Sequence, residues 1–446
     1  MQPPALVVGA AVVGAAILAA AQAPAPPSAH AADTLLLGRP VSHEQAKREL
    51  TLGDDAVQQG ALAQADAHYR LAWGSPQVRA AAAQRLWRLH ERRDYVLPVP
   101  QQQVQETRRA LSSDFSLYET PHFVMLTDAS RAAAVKTASL LERTRERFFR
   151  VMRSVAPEAA PPATKLLCVL FADEQAYRDF AREFDRVEAP WVAGYYASVS
   201  NRIVLYDDAT SSAVASALEA LEQQRLHAQQ QARHARRQGV TMQVSQRDLN
   251  QSYERRRRSM LEQARSAATE KVVHETTHLL AFNSGVQSRL HSQPFWLTEG
   301  LATAFETDRP EQAFGPAQPS PRRQAEAARL LADELPLPLR ELVSLTDVST
   351  VAEERIDALY AASYALFVYL HRRQRRALGR YLAALGSEPP GEIASQRLLE
   401  LFEDNFGDAD RLERTLLRWL RTLPDASRSS GEGGNRGRFV TVVEGD

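Results

Sequence analysis

The sequence predicts an α+β protein, a small sheet set among many helices. Two apolar runs have strand length and strand composition: Leu166-Leu167-Cys168-Val169-Leu170-Phe171 and Arg202-Ile203-Val204-Leu205-Tyr206. Elsewhere the apolar residues recur at helical spacing, over positions 43 to 95, through the region before Phe282, and again to about Leu423. A chain of 446 residues is long enough for two or three units with a sizeable core.

Taken in order, the chain opens on an apolar leader. No Lys or Arg precedes Arg39, and Ala5 to Ala23 is an Ala/Val/Leu/Ile/Gly run in which Gln22 is the only polar residue. Residues 1–31 are expected to be a signal peptide with its site at Ala29-His30-Ala31, or a membrane anchor left uncleaved, since the run is long enough to span a bilayer. Both place the rest of the chain outside the inner membrane, periplasmic or tethered and facing the periplasm. Export permits disulfides, yet Cys168 is the only cysteine. In its strand-like run it is a buried small residue and not a nucleophile. A formal net charge of zero gives no global pull toward nucleic acid.

Residues 43–97 look all-helical. Gly60, Ala65, Tyr69, Ala72 and Pro76 match the second half of a tetratricopeptide repeat in spacing, with no clear second copy. One repeat cannot bury its own face, so a single TPR-like hairpin packed on the next unit is expected, not a binding solenoid. Leu97-Pro98-Val99-Pro100 and the glutamines after it mark a linker. Residues 213–262 form a polar helical insert: an Ala/Gln/Arg-rich helix to 237, a break at Gly239, and a helix resuming before Arg255. Its apolar residues are too sparse for a heptad seam. Arg255-Arg256-Arg257-Arg258 point in several directions on a helix, which makes them a solvated face. Asp308 to Pro321 is a Pro-rich polar loop near the expected cleft, residues 311–424 are mainly helical, and 425–446, with Ser429-Ser430-Gly431, form a disordered tail.

The chemistry concentrates in His274-Glu275-Thr276-Thr277-His278. With 11 His in the chain, this pattern arises by accident in roughly one such chain in fifty, so the spacing already carries weight. On a helix His274 and His278 lie one turn apart on one face and can share a metal ion. Glu275 lies about a quarter turn away, where it reaches a water on the metal without ligating the metal itself. The context is helical: Met260, Leu261, Ala264, Ala268, Val272 and Val273 keep an apolar stripe, Leu279, Leu280 and Phe282 continue it, and Asn283-Ser284-Gly285 supplies a stop.

A second helix follows at Trp296-Leu297-Thr298-Glu299-Gly300, opened or capped by Thr298 and running through Glu306. Glu299 and Glu306 fall on nearly the same side, two turns apart. One carboxylate can ligate the metal while the other orients an imidazole. Two imidazoles, one carboxylate and one open position make a catalytic zinc site, not a closed structural one.

These segments resemble the gluzincin metallopeptidases, whose third zinc ligand is the Glu of a W-L-x-E-G segment. More narrowly, the chain is similar to an uncharacterised bacterial branch of that clan, known only as a domain of unknown function. Glu119-Thr120-Pro121-His122-Phe123 matches its first strand, Cys168-Val169-Leu170-Phe171 its second, and Ala193-Gly194-Tyr195-Tyr196 the segment after it. The likeness spans roughly residues 115 to 375. It implies a zincin-like fold over 115–310, a small mixed β-sheet packed on helices including the metal helix, with Glu299 as third ligand. It also implies an edge strand near the cleft able to bind an extended peptide; Gly194-Tyr195 and Arg202 to Tyr206 are the candidates. Thermolysin-like enzymes place an Asp four residues after the ligand Glu, where this chain has Thr303, so the resemblance names no carboxylate to orient a histidine. A Y-x-x-S-x-x-L segment recurs at Tyr360 to Leu366. Tyr360, or second Tyr364, is the expected donor to an oxyanion, against plain aromatic packing in the core.

The expected activity is zinc-dependent hydrolysis of a peptide or protein, with Zn2+ on His274, His278 and Glu299 and with Glu275 as general base. The alternative is a non-catalytic envelope interaction or scaffold protein that retains a zinc site. A zinc hydrolase acting on a non-peptide amide has the same ligands. Substrate specificity and oligomeric state have no signature in the sequence.

Overall fold

The structure, a computed structural model, describes residues 41–423 apart from 188–192, 209–210, 238–245, 332–333 and 349–350. The expected leader, the break at Gly239 and the C-terminal tail lie outside the described residues. Among the described residues no helix is long and apolar enough to cross a membrane.

Three helices come first: α1 (His43–Gln58), α2 (Leu62–Trp73) and α3 (Arg79–His90). Ser42 caps α1 through its hydroxyl, which accepts from the Gln45 amide at 3.2 Å. Their small residues, Ala46, Ala65, Ala72, Ala82 and Ala83, are buried together around Tyr69 and Leu86. The group docks through its tryptophans, since the Trp73 and Trp87 indoles donate to the Glu158 and Ala159 carbonyls at 2.6 and 2.9 Å.

The glutamine run is not a linker. Gln101–Arg109 is a helix, α4, begun at Pro100. Val104 and Thr107 of α4 are buried, and Gln103 donates to the Ser200 and Asn201 carbonyls, both at 2.7 Å. Tertiary contacts thus decide a stretch whose composition alone points to loop.

The sheet is mixed and five-stranded. β1 (Ser116–Glu119) and β2 (Phe123–Thr127) pair antiparallel, so the segment expected as one strand is two strands closed by a turn, with the Thr120 amide donating to the Phe123 carbonyl at 2.9 Å. Helix α5 (Arg131–Met152) crosses over to β3 (Leu166–Phe171), parallel to β2. Helix α6 (Glu174–Phe184) follows, then β4 (Gly194–Ala197) and β5 (Arg202–Tyr206), joined by a turn in which Asn201 takes a φ of 51°. The order β1-β2-β3-β5-β4 puts β5 inside the sheet and β4 at its edge. Arg202 to Tyr206 therefore cannot receive a peptide, because its backbone pairs with β3 and β4 on both sides. Of the two edge-strand candidates only β4 is an edge.

Side chains alternate across this sheet with period two. Met125, Cys168, Leu170, Ile203 and Leu205 enter the main core with α5 and the metal-motif helix, whereas Val124, Leu126, Leu167, Val169 and Val204 pack on α6 and α4. Both faces are covered, which explains why β3 is apolar throughout.

The insert is a helical hairpin. α7 (Ser212–Arg237) runs antiparallel to the first part of α8 (Gln246–Phe282), with Arg225 stacked over Tyr253 at 5.1 Å and Gln229 meeting Asn250 at 3.4 Å. α8 is one helix of 37 residues, roughly 55 Å long at 1.5 Å per residue. It changes character at Thr269. Earlier it is half-buried or exposed, and from Thr269 to Phe282 every residue is buried, as expected of a helix that runs through the core. α9 (Phe295–Phe305), α10 (Pro321–Leu330), α11 (Leu339–Leu342), α12 (Glu353–Arg373), α13 (Arg375–Leu385), α14 (Ser395–Phe406) and α15 (Ala409–Leu420) complete the fold.

Candidate metal centre

His274 and His278 stand one turn apart on the buried half of α8, their rings edge to face with centroids 4.7 Å apart. The helix ends at Phe282, and Gly285 takes a φ of 77°, so the predicted stop is where the chain turns. α9 then returns across α8. It begins at Phe295 with Pro294 as its cap, not at Thr298, whose hydroxyl instead accepts from Gln287 at 3.0 Å. All of α9 is buried, and Gly300 explains how it seats. A Cβ there would strike the Ser363 carbonyl of α12, so only glycine lets the two helices approach this closely. That approach brings Glu299 to the histidines and Tyr360 of α12 into the same region.

His274, His278 and Glu299 each offer one ligand atom, all within 4.8 Å of one another and all buried. The two Nε2 atoms are 3.0 Å apart, His274 Nε2 lies 3.3 Å from one Glu299 oxygen, and His278 Nε2 lies 3.7 Å from the other. A tetrahedral zinc with ligands at about 2.0–2.2 Å needs ligand–ligand separations of about 3.3–3.6 Å. The imidazole pair and the closest approach of each imidazole to a Glu299 oxygen lie near that value, the two histidines meeting different oxygens of the carboxylate. Glu299 Oε2 has no hydrogen-bond partner; a buried carboxylate oxygen left so is costly unless a ligand meets it. The arrangement is compatible with metal coordination.

Glu306 differs from Glu299 in every respect that matters for ligation. It caps the end of α9 with an extended backbone, φ −54° and ψ 137°, not as one more turn of helix. One oxygen meets His274 Nδ1 at 2.8 Å and the other accepts from Arg323 Nε at 2.6 Å. Both oxygens are thus committed. Burial disfavours charge on Glu306, but Arg323 and His274 outweigh it and hold the carboxyl below its ordinary range. Thr303, where thermolysin-like enzymes have their Asp, carries a buried hydroxyl without a partner. The carboxylate that orients His274 stands three residues later.

Burial opposes a charge on His274 as well, yet the adjacent carboxylates of Glu299 and Glu306 raise its pKa to about 10. Burial and the neighbouring His274 push His278 well below its usual value. His278 is thereby favoured in the neutral form that ligates a metal, and on His274 a metal would take the place of the proton that the two carboxylates attract.

Glu275 is fully buried and neither oxygen has a hydrogen-bond partner. Desolvation raises its pKa to about 8, with Glu299 adding to the rise and His274, the Tyr196 amide and Lys271 opposing it. That amide belongs to β4, the last strand in the sheet order, so this strand and the acid lie side by side. Lys271, one turn before Glu275, is held by Asp208 at 2.6 Å and by the Tyr206 ring, 4.3 Å from its centroid. The Tyr360 hydroxyl is buried without a partner, and burial followed by Glu299 and Glu275 raises its pKa far above 10. Tyr364 answers first to burial and then to Arg323 and Arg372, with only a weaker influence from Glu306. Of the two tyrosines, Tyr360 is the one in the field of Glu275 and Glu299.

The structure thus brings together His274, Glu275, His278, Glu299 and Tyr360, with Glu306 behind His274. Sequence reasoning missed Arg323, Arg322, Glu270 and Tyr177. Glu270 is one turn before His274 and pairs with Arg322 at 3.1 Å. Tyr177 on α6 is buried within the electrostatic reach of Glu275. Only Glu270 had a readable cue, its place on the same helix face as His274.

Residues 266–392 match DUF1570. It is described as a protein of unknown function. The DUF1570 span begins within α8 and ends after α13, so it holds the whole cluster, the Arg323 helix and Tyr360, and none of the strands. No curated protein matches the chain.

Proposed function

We propose that this protein is a zinc-dependent peptidase-like hydrolase of the bacterial cell envelope. One observation carries the reading: a buried His2Glu cluster with a second acid, Glu275, beside it whose oxygens are left without partners. Zinc on His274, His278 and Glu299 would supply Lewis-acid activation of a water and of the scissile carbonyl. Glu275 takes the proton of the attacking water and delivers it to the leaving amine. Tyr360 donates a hydrogen bond to the developing oxyanion. β4 ends the strand order, the position at which an extended peptide adds to a sheet, which supports a peptide or protein substrate. The envelope setting rests on the apolar leader.

Zinc-loaded full-length protein incubated with a peptide library tests this. Glu275→Gln should keep its zinc and lose about 10²–10⁴-fold in turnover. Equal turnover by wild type and Glu275→Gln would sink the assignment. A zinc-loaded wild type that cleaves nothing and co-purifies with partners would favour a scaffold.

A further inference from the structure

Two arginines open α10 at the second and third positions of the helix, directly after Pro321. Local rules argue against them there. The helix N-terminus carries partial positive charge, so cations in the first turn are unfavourable and acids are preferred. α10 has no acid in its first turn, and no side chain caps its Ser320 end. A sequence that breaks a local rule needs a compensating gain elsewhere.

The gain is visible in what the two guanidiniums meet. Arg323 is buried, and its Nε donates to Glu306 Oε2 at 2.6 Å with Nη2 on the same oxygen. Its Nη1 donates to Glu326 at 2.7 Å, which fixes the fork from the other side. Arg322 pairs with Glu270 on α8 and comes within 3.8 Å of Glu306. Glu306 in turn meets His274 Nδ1 at 2.8 Å. A continuous chain therefore runs from α10 through Glu306 to the imidazole.

We propose that Arg323 is a positioning residue that reserves Glu306 for His274, leaving Glu299 as the sole carboxylate available to a metal. The proposal rests on the zinc reading of the cluster. Glu299 and Glu306 both reach the same imidazole, His274 Nε2 and Nδ1 respectively. A buried carboxylate without a counterion seeks a neighbouring cation; without Arg323 the candidates are Arg322, 3.8 Å from the same oxygen but already paired with Glu270, and a metal on His274. Arg323 removes that choice. A second carboxylate on the metal would close the open position that hydrolysis needs. Arg322 and Glu270 tether the same helix start to α8, so the clamp is held in register with the histidines.

Cobalt(II) titration of the full-length protein, followed by visible absorption, tests this without turnover. Wild type should bind one equivalent and show a single spectrum; no binding at all would refute the zinc reading itself. Arg323→Met should change the spectrum, reporting a new ligand, and change affinity by about 10–100-fold. In Arg323→Met/Glu306→Gln the spectral change should vanish, because the carboxylate that moves is gone. A wild-type spectrum and affinity in Arg323→Met would overturn the proposal, as would an equal change with and without Glu306. If Arg323→Met does not fold, Arg323→Lys keeps the charge and loses the fork, and the same Glu306-dependent change should appear with smaller amplitude.

Discussion

Two buried histidine–carboxylate clusters in this protein are built to opposite ends. In the N-terminal helices Asp66 takes Arg70 Nε at 2.6 Å on one oxygen and both Arg70 Nη2 at 3.1 Å and His90 Nε2 at 2.9 Å on the other. Arg70 goes on to donate to the Pro161 and Pro162 carbonyls. Burial would raise the Asp66 pKa, but His90 and Arg70 overcome it and hold it below the usual range. Every acidic oxygen there has its donor. Around His274 the acids are as buried, yet both oxygens of Glu275, one of Glu299 and the Tyr360 hydroxyl have none. A cluster whose carboxylate is satisfied, with only His90 Nδ1 lacking a partner, fixes the α2–α3 pair and the loop beneath it. One whose carboxylate oxygens are unsatisfied is compatible with a bound ligand.

The difference can be broken from either side. His278→Ala should abolish zinc binding while the protein stays folded, measured by metal analysis and circular dichroism; retained stoichiometric zinc would erase the distinction. Asp66→Ala should do the reverse. It leaves Arg70 buried without a counterion and should cost about 3–5 kcal/mol in urea unfolding, with zinc content unchanged. Tyr360→Phe should keep both zinc and stability while turnover drops about 10²-fold; an unaltered rate would return Tyr360 to plain packing against Phe295. The smallest effect concerns pH. Because the Asp66 carboxyl titrates lower in the folded than in the unfolded state, its contribution is complete above the unfolded pKa of about 3.9 and disappears as pH falls through the folded value. Asp66→Asn should therefore flatten the acid limb of stability below about pH 4, in urea titrations, with little change in its slope near neutrality.

What could be read from the sequence follows distance along the chain. His274, Glu275 and His278 lie within one helical turn, so spacing alone sets their relation. The α+β class and the covered strand β3 follow from local periodicity. Glu299 required a family likeness, because its helix must fold back across α8 and no local pattern records that return. Arg323 left no trace, since its partner Glu306 lies across a loop of irregular structure and two arginines at a helix start look like solvated charges. The Gln101–Arg109 helix was hidden by a composition typical of linkers, although burial of Val104 and Thr107 is what orders it. Which of β4 and β5 forms the edge depends on strand order, a nonlocal property. Thr298 was read as a helix opener because its hydroxyl suits a cap, but Pro294 begins the helix and Thr298 serves Gln287.

The central claim is that His274, His278 and Glu299, and not Glu306, hold one metal ion. The most direct measurement is an anomalous difference map from crystals of the zinc-loaded protein. The account predicts a single zinc peak about 2.0–2.2 Å from both Nε2 atoms and from a Glu299 oxygen, with Glu306 still on His274 Nδ1. A peak ligated by Glu306 in place of Glu299, or no peak there with zinc in excess, would contradict it.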